Sequence, residues 1–220
     1  IAEGMDESFT RRFMGTHFFN PPRFLELLEV IPHPDTDPDA VEYMTEFATN
    51  RLGKGVVVAK DEPNFIGNRF MSIVSSQAMN YAIDNGFSIE EVDKLTGPLI
   101  GRPKTGTFRL LDLVGNDVAT HVARNLYPAI PDDPDREVLQ HERANEIFDW
   151  LLENNYLGNK ADQGFYKMVR GDDGSKEFWT LDFDTLEYTP PEKVRFESMG
   201  KHRKHPDTGE RIKLMLDEND

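Results

Sequence analysis

Two side chains whose types and spacing allow proton chemistry stand twelve residues apart, His17 and Glu29, in the stretch GTHFFNPPRFLELLEVIP that begins at Gly15. An imidazole held by a carboxylate is the usual construction of a general base. The acid fixes the tautomer and stabilises the imidazolium that forms when a substrate proton is taken. A structural His beside a surface Glu is the competing reading, because such pairs are often only structural. The remaining candidates carry less chemistry. His202 and His205, three apart in KHRKH, have metal-ligand spacing but sit between basic neighbours, so no metal is expected there. His121 has no second metal-type residue at i+4 and reads as a helix-packing His. Arg102, Lys104 and Arg109 either meet an anion or form a solvated cluster at a helix end.

What must position the pair is a strand on each side of a break. Phe13–Phe19 and Leu25–Ile31 are apolar and suited to strands, and Asn20-Pro21-Pro22 interrupts them. If the turn is centred near Arg23, antiparallel counting places position 17 across from position 29. Alternation puts Leu25, Leu27, Glu29 and Ile31 on one face, so Glu29 is a lone carboxylate on an apolar stripe. Burying it unpaired would cost several kcal/mol, on the order of what an uncompensated polar group loses.

Downstream the pattern turns helical. Asp37 and Pro38 open a helix with Val41, Met44, Phe47, Ala48 and Leu52 at helical spacing, closed by Gly53. Gly55–Lys60 is a short strand, and the turn at 61–64 is the expected domain boundary. Asn64 is expected to cap a helix from Phe65 to about Asp84 whose packing stripe is Ile66, Phe70, Ile73, Val74, Ala78 and Tyr81. Asn68 points off that stripe, in the helix's first turn. Ser88 and Glu91 form a capping box for a helix ending near Leu95. Another helix begins near Thr107 and breaks at Gly115-Asn116. Asp117 caps the next, with Val118, His121, Val122 and Leu126 on one face. Pro128–Arg136 is a solvated acidic loop and Arg143–Asn154 a further helix. Phe165–Val169 and Glu177–Leu181 form a hairpin around Asp172-Asp173-Gly174-Ser175, and 182–191 is irregular.

GTHFFNPP followed by LLEVIP, NFIGNRF at 64–70, GPLIGRP…LLDLVGND at 97–117 and LGNKADQGFYK at 157–167 together resemble the 3-hydroxyacyl-CoA dehydrogenase family. The resemblance implies a mainly α fold with a small β part: distal strands of a Rossmann-type domain, then an all-helical 6-phosphogluconate-dehydrogenase-like C-terminal domain with a β-hairpin. The domains expected are 1–60 for the distal end of the NAD-binding unit, 61–190 for the helical unit, and 191–220 for a linker or the start of a following domain. In the family the HFFNP His is the catalytic base and a Glu twelve residues on is its partner, positions matched by His17 and Glu29. The Asn of the FIxNR motif lies in the interdomain cleft and bonds the acyl group, a position matched by Asn68. A carboxamide at the positive end of a helix is suited to polarising a substrate oxygen. Asn20 and Pro21 are the residues expected to touch the cofactor, NAD.

The activity implied is oxidation of L-3-hydroxyacyl-CoA to 3-ketoacyl-CoA in fatty-acid β-oxidation, with acyl-CoA as substrate and a homodimer formed through the helical unit. The wording is closest to long bacterial members in which an enoyl-CoA hydratase domain follows. Two other readings stay open: a dehydrogenase of a non-CoA 3-hydroxy acid, and a non-catalytic helical dimerisation module. No G-x-G-x-x-G stands in the 220 residues, so the main dinucleotide site is expected upstream of Ile1. The family's Ser-containing loop beside the His is expected there too. The first residues, IAEGMDESFTRRF, lie within an amphipathic element and the last, GERIKLMLDEND, are unfinished in pattern; both make the chain an expected internal piece of a longer protein.

Composition bounds the rest. A net charge of −15 and a pI near 4.8 argue against general nucleic-acid binding. There is no apolar run of membrane-spanning length and no signal-peptide pattern. Cys is absent, which excludes disulfides and thiolate metal sites and fits a cytoplasmic setting.

Overall fold

The computed structural model describes residues 1–171 and 173–218, and the chain divides into two compact units, Ile1–Met71 and Ser72–Asp220. The first unit opens with a single helical turn, α1 (Glu7–Thr10), capped by the Asp6 carboxylate. Strands β1 (Met14–Phe18), β2 (Leu27–Pro32) and β3 (Gly55–Val58) follow, with α2 (Pro38–Leu52) between the last two. The sheet order is β1-β2-β3; β1 runs antiparallel to β2, and β3 runs parallel to it. The register places His17 opposite Glu29, as the counting across the turn requires.

Of the face that alternation predicts, Glu29 and Ile31 are buried but the other two residues are not. Leu25 lies outside the strand and is exposed, and Leu27 is 36% exposed. The core of this unit is instead Leu28, Val30 and Ala48, packed by Met14, Val41, Met44 and Val56. The reason is that α2 covers the face opposite Glu29, so β2 is buried on both sides and its pattern does not alternate. Phe47 and Leu52, expected in the core, are exposed. Asp37 does stand at the start of α2, but its carboxylate pairs with Arg11 and not with the helix amides. Gly53 ends the helix in the left-handed region at φ 65°.

Helix α3 (Gly67–Asn85) starts two residues later than Phe65, because Asn64 and Phe65 both adopt positive φ (61° and 49°) and so cannot belong to it. Asn64 is therefore not its cap. Its buried residues are Ser75, Met79 and Ala82, whereas Ile66, Phe70 and Tyr81 of the expected stripe are exposed. Apolar residues occur on more than one side of this helix, and its period does not say which side meets the core.

In the second unit α4 (Ile89–Leu95) begins at the expected capping box, with both reciprocal bonds between Ser88 and Glu91 present. Helices α5 (Phe108–Val114), α6 (Asn116–Ala129) and α7 (Glu142–Glu153) follow. The main core joins Met79, Ala82, Ile89, Phe108, Ile147, Leu151 and Phe165. Phe108 packs on Phe165 at 5.0 Å and on Phe183 at 5.4 Å between ring centres. Asp117 does not cap α6; it pairs with Lys160 at 2.5 Å. The buried positions of α6 are Asn116, Thr120 and Leu126, while Val118 and His121 are exposed, and His121 contacts Asn125 instead of packing inward. The helix also continues through Pro128 to Ala129 with Ile130 buried beyond it, so the acidic loop is shorter than expected.

The hairpin forms from β4 (Tyr166–Arg170) and β5 (Lys176–Leu181); of its turn, Asp172 lies outside the described residues. A third strand, β6 (Tyr188–Thr189), pairs with β5 in the stretch expected to be irregular. The helical unit therefore carries a three-stranded sheet, in which Tyr188 also donates a hydrogen bond to the Gly164 carbonyl. Beyond it, α8 (Glu197–His202) and α9 (Thr208–Leu216) fold back, and Arg211 donates to the carbonyls of Leu99 and Pro98.

The LGNKADQGFYK segment is held by one buried acid. Asp112 accepts N–H bonds from Phe165 (2.9 Å) and Tyr166 (2.8 Å) and from the Asn116 carboxamide (3.1 Å). Burial nonetheless pushes its carboxyl up from 3.8 to about 6, against the pull of those donors. Folded protein thus binds this proton more readily than unfolded chain between those two values. Stability relative to Asp112→Asn is therefore expected to fall as pH rises through that window, by about 3 kcal/mol in full. Urea unfolding of both chains at pH 4 and pH 7 measures this, and parallel pH dependence would refute it.

Candidate functional site

Glu29 is fully buried yet carries a carboxylate, and three donors converge on it. Its Oε1 accepts the backbone N–H groups of Ile66 at 2.9 Å and Gly67 at 2.7 Å. Its Oε2 lies 2.6 Å from His17 Nδ1. The two amides belong to the N-terminus of α3, where unsatisfied N–H groups and the helix dipole favour an anion. With Oε1 occupied by amide donors, Oε2 accepts the third bond, so Nδ1 is the protonated nitrogen of the imidazole. Nε2 is then the bare nitrogen, without a hydrogen-bond partner among the described residues, on a side chain 28% exposed.

Two aromatic rings set the attitude of that imidazole. Phe19, two residues on in the chain, lies 4.7 Å from it between ring centres, and Phe65 lies 5.6 Å away. Phe65 is brought there by the two-residue left-handed turn at Asn64-Phe65, a backbone state rarely taken by a bulky side chain. The same turn aims the next two amides at Glu29. Asn68 directly follows Gly67 in the first turn of α3 and is half-buried. The geometry thus joins His17 to Glu29 directly and places Asn68 one residue from the amide that binds Glu29.

Asn20 and Pro21 lie beyond the end of β1 in an exposed turn, linked by a cis peptide bond. Lys54 ties this turn down by donating to the carbonyls of Pro22 and Leu25. Asn20, expected at the NAD site, is exposed and its carboxamide has no hydrogen-bond partner among the described residues, while a glycine-rich pyrophosphate cradle is not encoded in the 220 residues. His202 faces Glu218 at 3.0 Å and His205 faces the Asp207 carbonyl at 3.1 Å, so the two imidazoles are engaged separately. Among the described residues no group of three His, Asp or Glu could hold a metal ion. Arg109, one of the three basic candidates, stacks over Phe178 at 4.0 Å and Tyr166 at 4.6 Å, a structural use of its charge.

Sequence reasoning missed Phe19, Phe65 and the amides of Ile66 and Gly67. One signal was present: a Gly inside an otherwise helical apolar pattern, in FIGNRF, marks a close approach to the backbone.

The parallel β2–α2–β3 crossover is the building unit of nucleotide-binding sheets. Followed by a helical unit, and carrying a His–carboxylate pair on β1 and β2, it marks a protein of Rossmann class. The chain belongs to the 3-hydroxyacyl-CoA dehydrogenase family. Residues 1–62 match that family's NAD binding domain and residues 65–168 its C-terminal domain. A probable 3-hydroxyacyl-CoA dehydrogenase of Bacillus subtilis is 42% identical over 220 residues, which cover 100% of this chain and 27% of that protein. A second, from Deinococcus radiodurans, is 44% identical over 178 residues, 81% of this chain and 50% of that protein. The chain therefore spans half or less of the length of these relatives. The crystal structure of FadB2 from M. tuberculosis matches with a TM-score of 0.59 at 30% identity, covering 72% of this chain and 53% of that one. Among the described residues no helix is long and apolar enough to cross a membrane.

Replacing Glu29 by Gln keeps the shape but puts an NH2 group against either the His17 Nδ1–H or the two amides. Loss of stability by about 1–3 kcal/mol is expected, the range for leaving a buried donor unsatisfied. Denaturant unfolding of the two chains reads it, and equal midpoints would count against the three-donor arrangement.

Proposed function

We propose that this chain is the proton-accepting part of an NAD-dependent L-3-hydroxyacyl-CoA dehydrogenase, which oxidises 3-hydroxyacyl-CoA to 3-ketoacyl-CoA in fatty-acid β-oxidation. The observation that carries the reading is the imidazole of His17, with Nδ1 committed to Glu29 and Nε2 left bare. Oxidising a secondary alcohol needs a base for the hydroxyl proton, a hydride acceptor and a group to hold the substrate oxygens. When bound, NAD supplies the hydride acceptor. His17 Nε2 takes the hydroxyl proton as the C–H bond is given up, and Glu29 stabilises the imidazolium that results. Asn68, at the positive end of α3, donates its amide N–H to a substrate oxygen. Asn20 and Pro21 border the cofactor.

Acyl-CoA as substrate follows from the family and not from a phosphate site in these residues. A cytoplasmic setting and a homodimer through the helical unit belong to the same proposal. The dimer is supported by apolar side chains exposed in that unit, Tyr81, Leu113, Val114 and Val118. Val118→Glu is expected to shift the sedimentation mass toward the monomer; an unchanged dimer would move the interface elsewhere.

His17→Ala in the full-length protein is expected to lower kcat roughly 10²–10⁴-fold, the usual contribution of a positioned base. Assay of acetoacetyl-CoA reduction by NADH checks it, and unchanged turnover would exclude His17 as the base. Comparing CoA thioesters with free 3-hydroxy acids in the same assay tests the substrate class. The 220 residues by themselves should give no turnover; activity would overturn the assignment of the main cofactor site to another segment.

A further inference from the structure

The turn between β1 and β2 opens with Pro21 and Pro22, which have no N–H to give, so few backbone bonds hold it together. Phe24 and Leu25 both donate to the Pro21 carbonyl, at 3.0 and 3.1 Å. Among the described residues no backbone amide reaches the carbonyls of Pro22 or Leu25. A lysine takes that part. Lys54 Nζ donates to both, meeting the Leu25 carbonyl at 2.6 Å. The same ammonium lies 6.0 Å from the centre of the Phe18 ring, at the edge of cation–π range. Lys54 is itself rooted in the fold. Its own N–H donates to the Ala48 carbonyl of α2, and the next amide, of Gly55, donates to Glu26 at 2.9 Å. Its side chain thus touches the last residue of β1 and two carbonyls ahead of β2. Asn20 and Pro21 lie between those held points, exposed to solvent.

We propose that Lys54 is a positioning residue for cofactor binding, acting through Asn20: its ammonium stands in for the amides that the Pro-Pro turn lacks and so presents the Asn20 carboxamide to the dinucleotide. This deepens the dehydrogenase reading and rests on it. An ammonium suits the task, because three donors on a flexible stem can meet carbonyls of two different residues. Its charge is spent on backbone oxygens and not on the phosphates of a ligand. Without it those carbonyls are left to water, and the turn gains states in which Asn20 points elsewhere. Affinity then falls by the fraction of molecules that keep the competent state. A merely structural lysine would change stability and leave cofactor affinity alone.

Two measurements test this. In the 220-residue chain, Lys54→Met keeps the stem and removes the donors. Amide hydrogen exchange at Phe24 and Leu25 is expected to quicken, while exchange across β2 and α2 stays as in wild type. In the full-length enzyme, fluorescence titration is expected to show NADH bound roughly three- to tenfold more weakly by Lys54→Met, with KM for acetoacetyl-CoA within about twofold of wild type. Lys54→Arg, which keeps donors for both carbonyls, should bind NADH as wild type does. In an Asn20→Ala background Lys54→Met should add no further loss. Unchanged NADH affinity in Lys54→Met overturns the proposal, and so does Lys54→Arg binding no better than Lys54→Met. Faster exchange throughout the chain makes Lys54 merely structural and overturns it as well. A raised KM for acetoacetyl-CoA with NADH affinity intact assigns the charge to the thioester instead. Independent losses from Lys54 and Asn20 overturn the route through Asn20. A wild-type enzyme that binds no NADH overturns the dehydrogenase reading beneath the proposal.

Discussion

A fully buried carboxylate is the constraint on which this part of the molecule depends. Glu29 lies on a strand covered on both faces, where an uncompensated charge would cost more than a small domain can spare. It is compensated three times, by an imidazole and by two amides of a helix N-terminus. The donors come from two distant places, strand β1 and the start of α3, while the acid itself stands on β2. Satisfying one acid therefore fixes the positions of three elements relative to one another. The proton acceptor is a by-product of that arrangement, since the bond that neutralises Glu29 also decides which nitrogen of His17 is free.

The unusual backbone nearby follows from the same need. Phe65 occupies a left-handed conformation that a phenylalanine ordinarily avoids, at a cost on the order of 1–3 kcal/mol. In return the chain reverses sharply enough to aim two consecutive amides at Oε1 while the Phe65 ring reaches the imidazole. A regular helix begun at Phe65, as the apolar spacing suggests, would point those amides along its own axis, with no turn to bring the ring across. The second unit repeats the strategy without the chemistry. Asp112 gathers the amides of Phe165 and Tyr166 at the start of β4 and a carboxamide, and Asp93 caps α5 through three amides while accepting the Tyr166 hydroxyl. Burial raises both acids in pKa against the pull of those donors.

Much of the site was open to reading in the sequence because its logic is local. A Pro-Pro break between two apolar runs implies a pair of strands, equal counting from the turn puts 17 against 29, and a lone acid in an apolar strand demands a donor. The capping box at Ser88 and Glu91 is of the same kind, since its partners are three residues apart and need nothing from the rest of the fold. The motifs at 64–70 and 157–167 gave the family for a related reason: each is a run in which backbone and side chain must fit a neighbour closely.

What the sequence could not decide was which face of each element would be covered. Apolar side chains occupy more than one side of α3 and both sides of β2, and only the arrival of α2, α5 and α7 chose Leu28 and Val30 over Leu25 and Leu27, and Met79 and Ala82 over Phe70 and Tyr81. The two-residue strand β6 exists only because β5 offers it an edge. The amides that hold Glu29 lie thirty-seven and thirty-eight positions away and carry no side-chain signature, so a backbone donor of this kind is invisible until the chain is folded. The sequence by itself determined that an imidazole and an acid would meet across a hairpin. Tertiary structure alone decided how that acid is kept charged in the interior, because hydrogen bonds from backbone amides depend on where the chain goes and not on which side chains it bears.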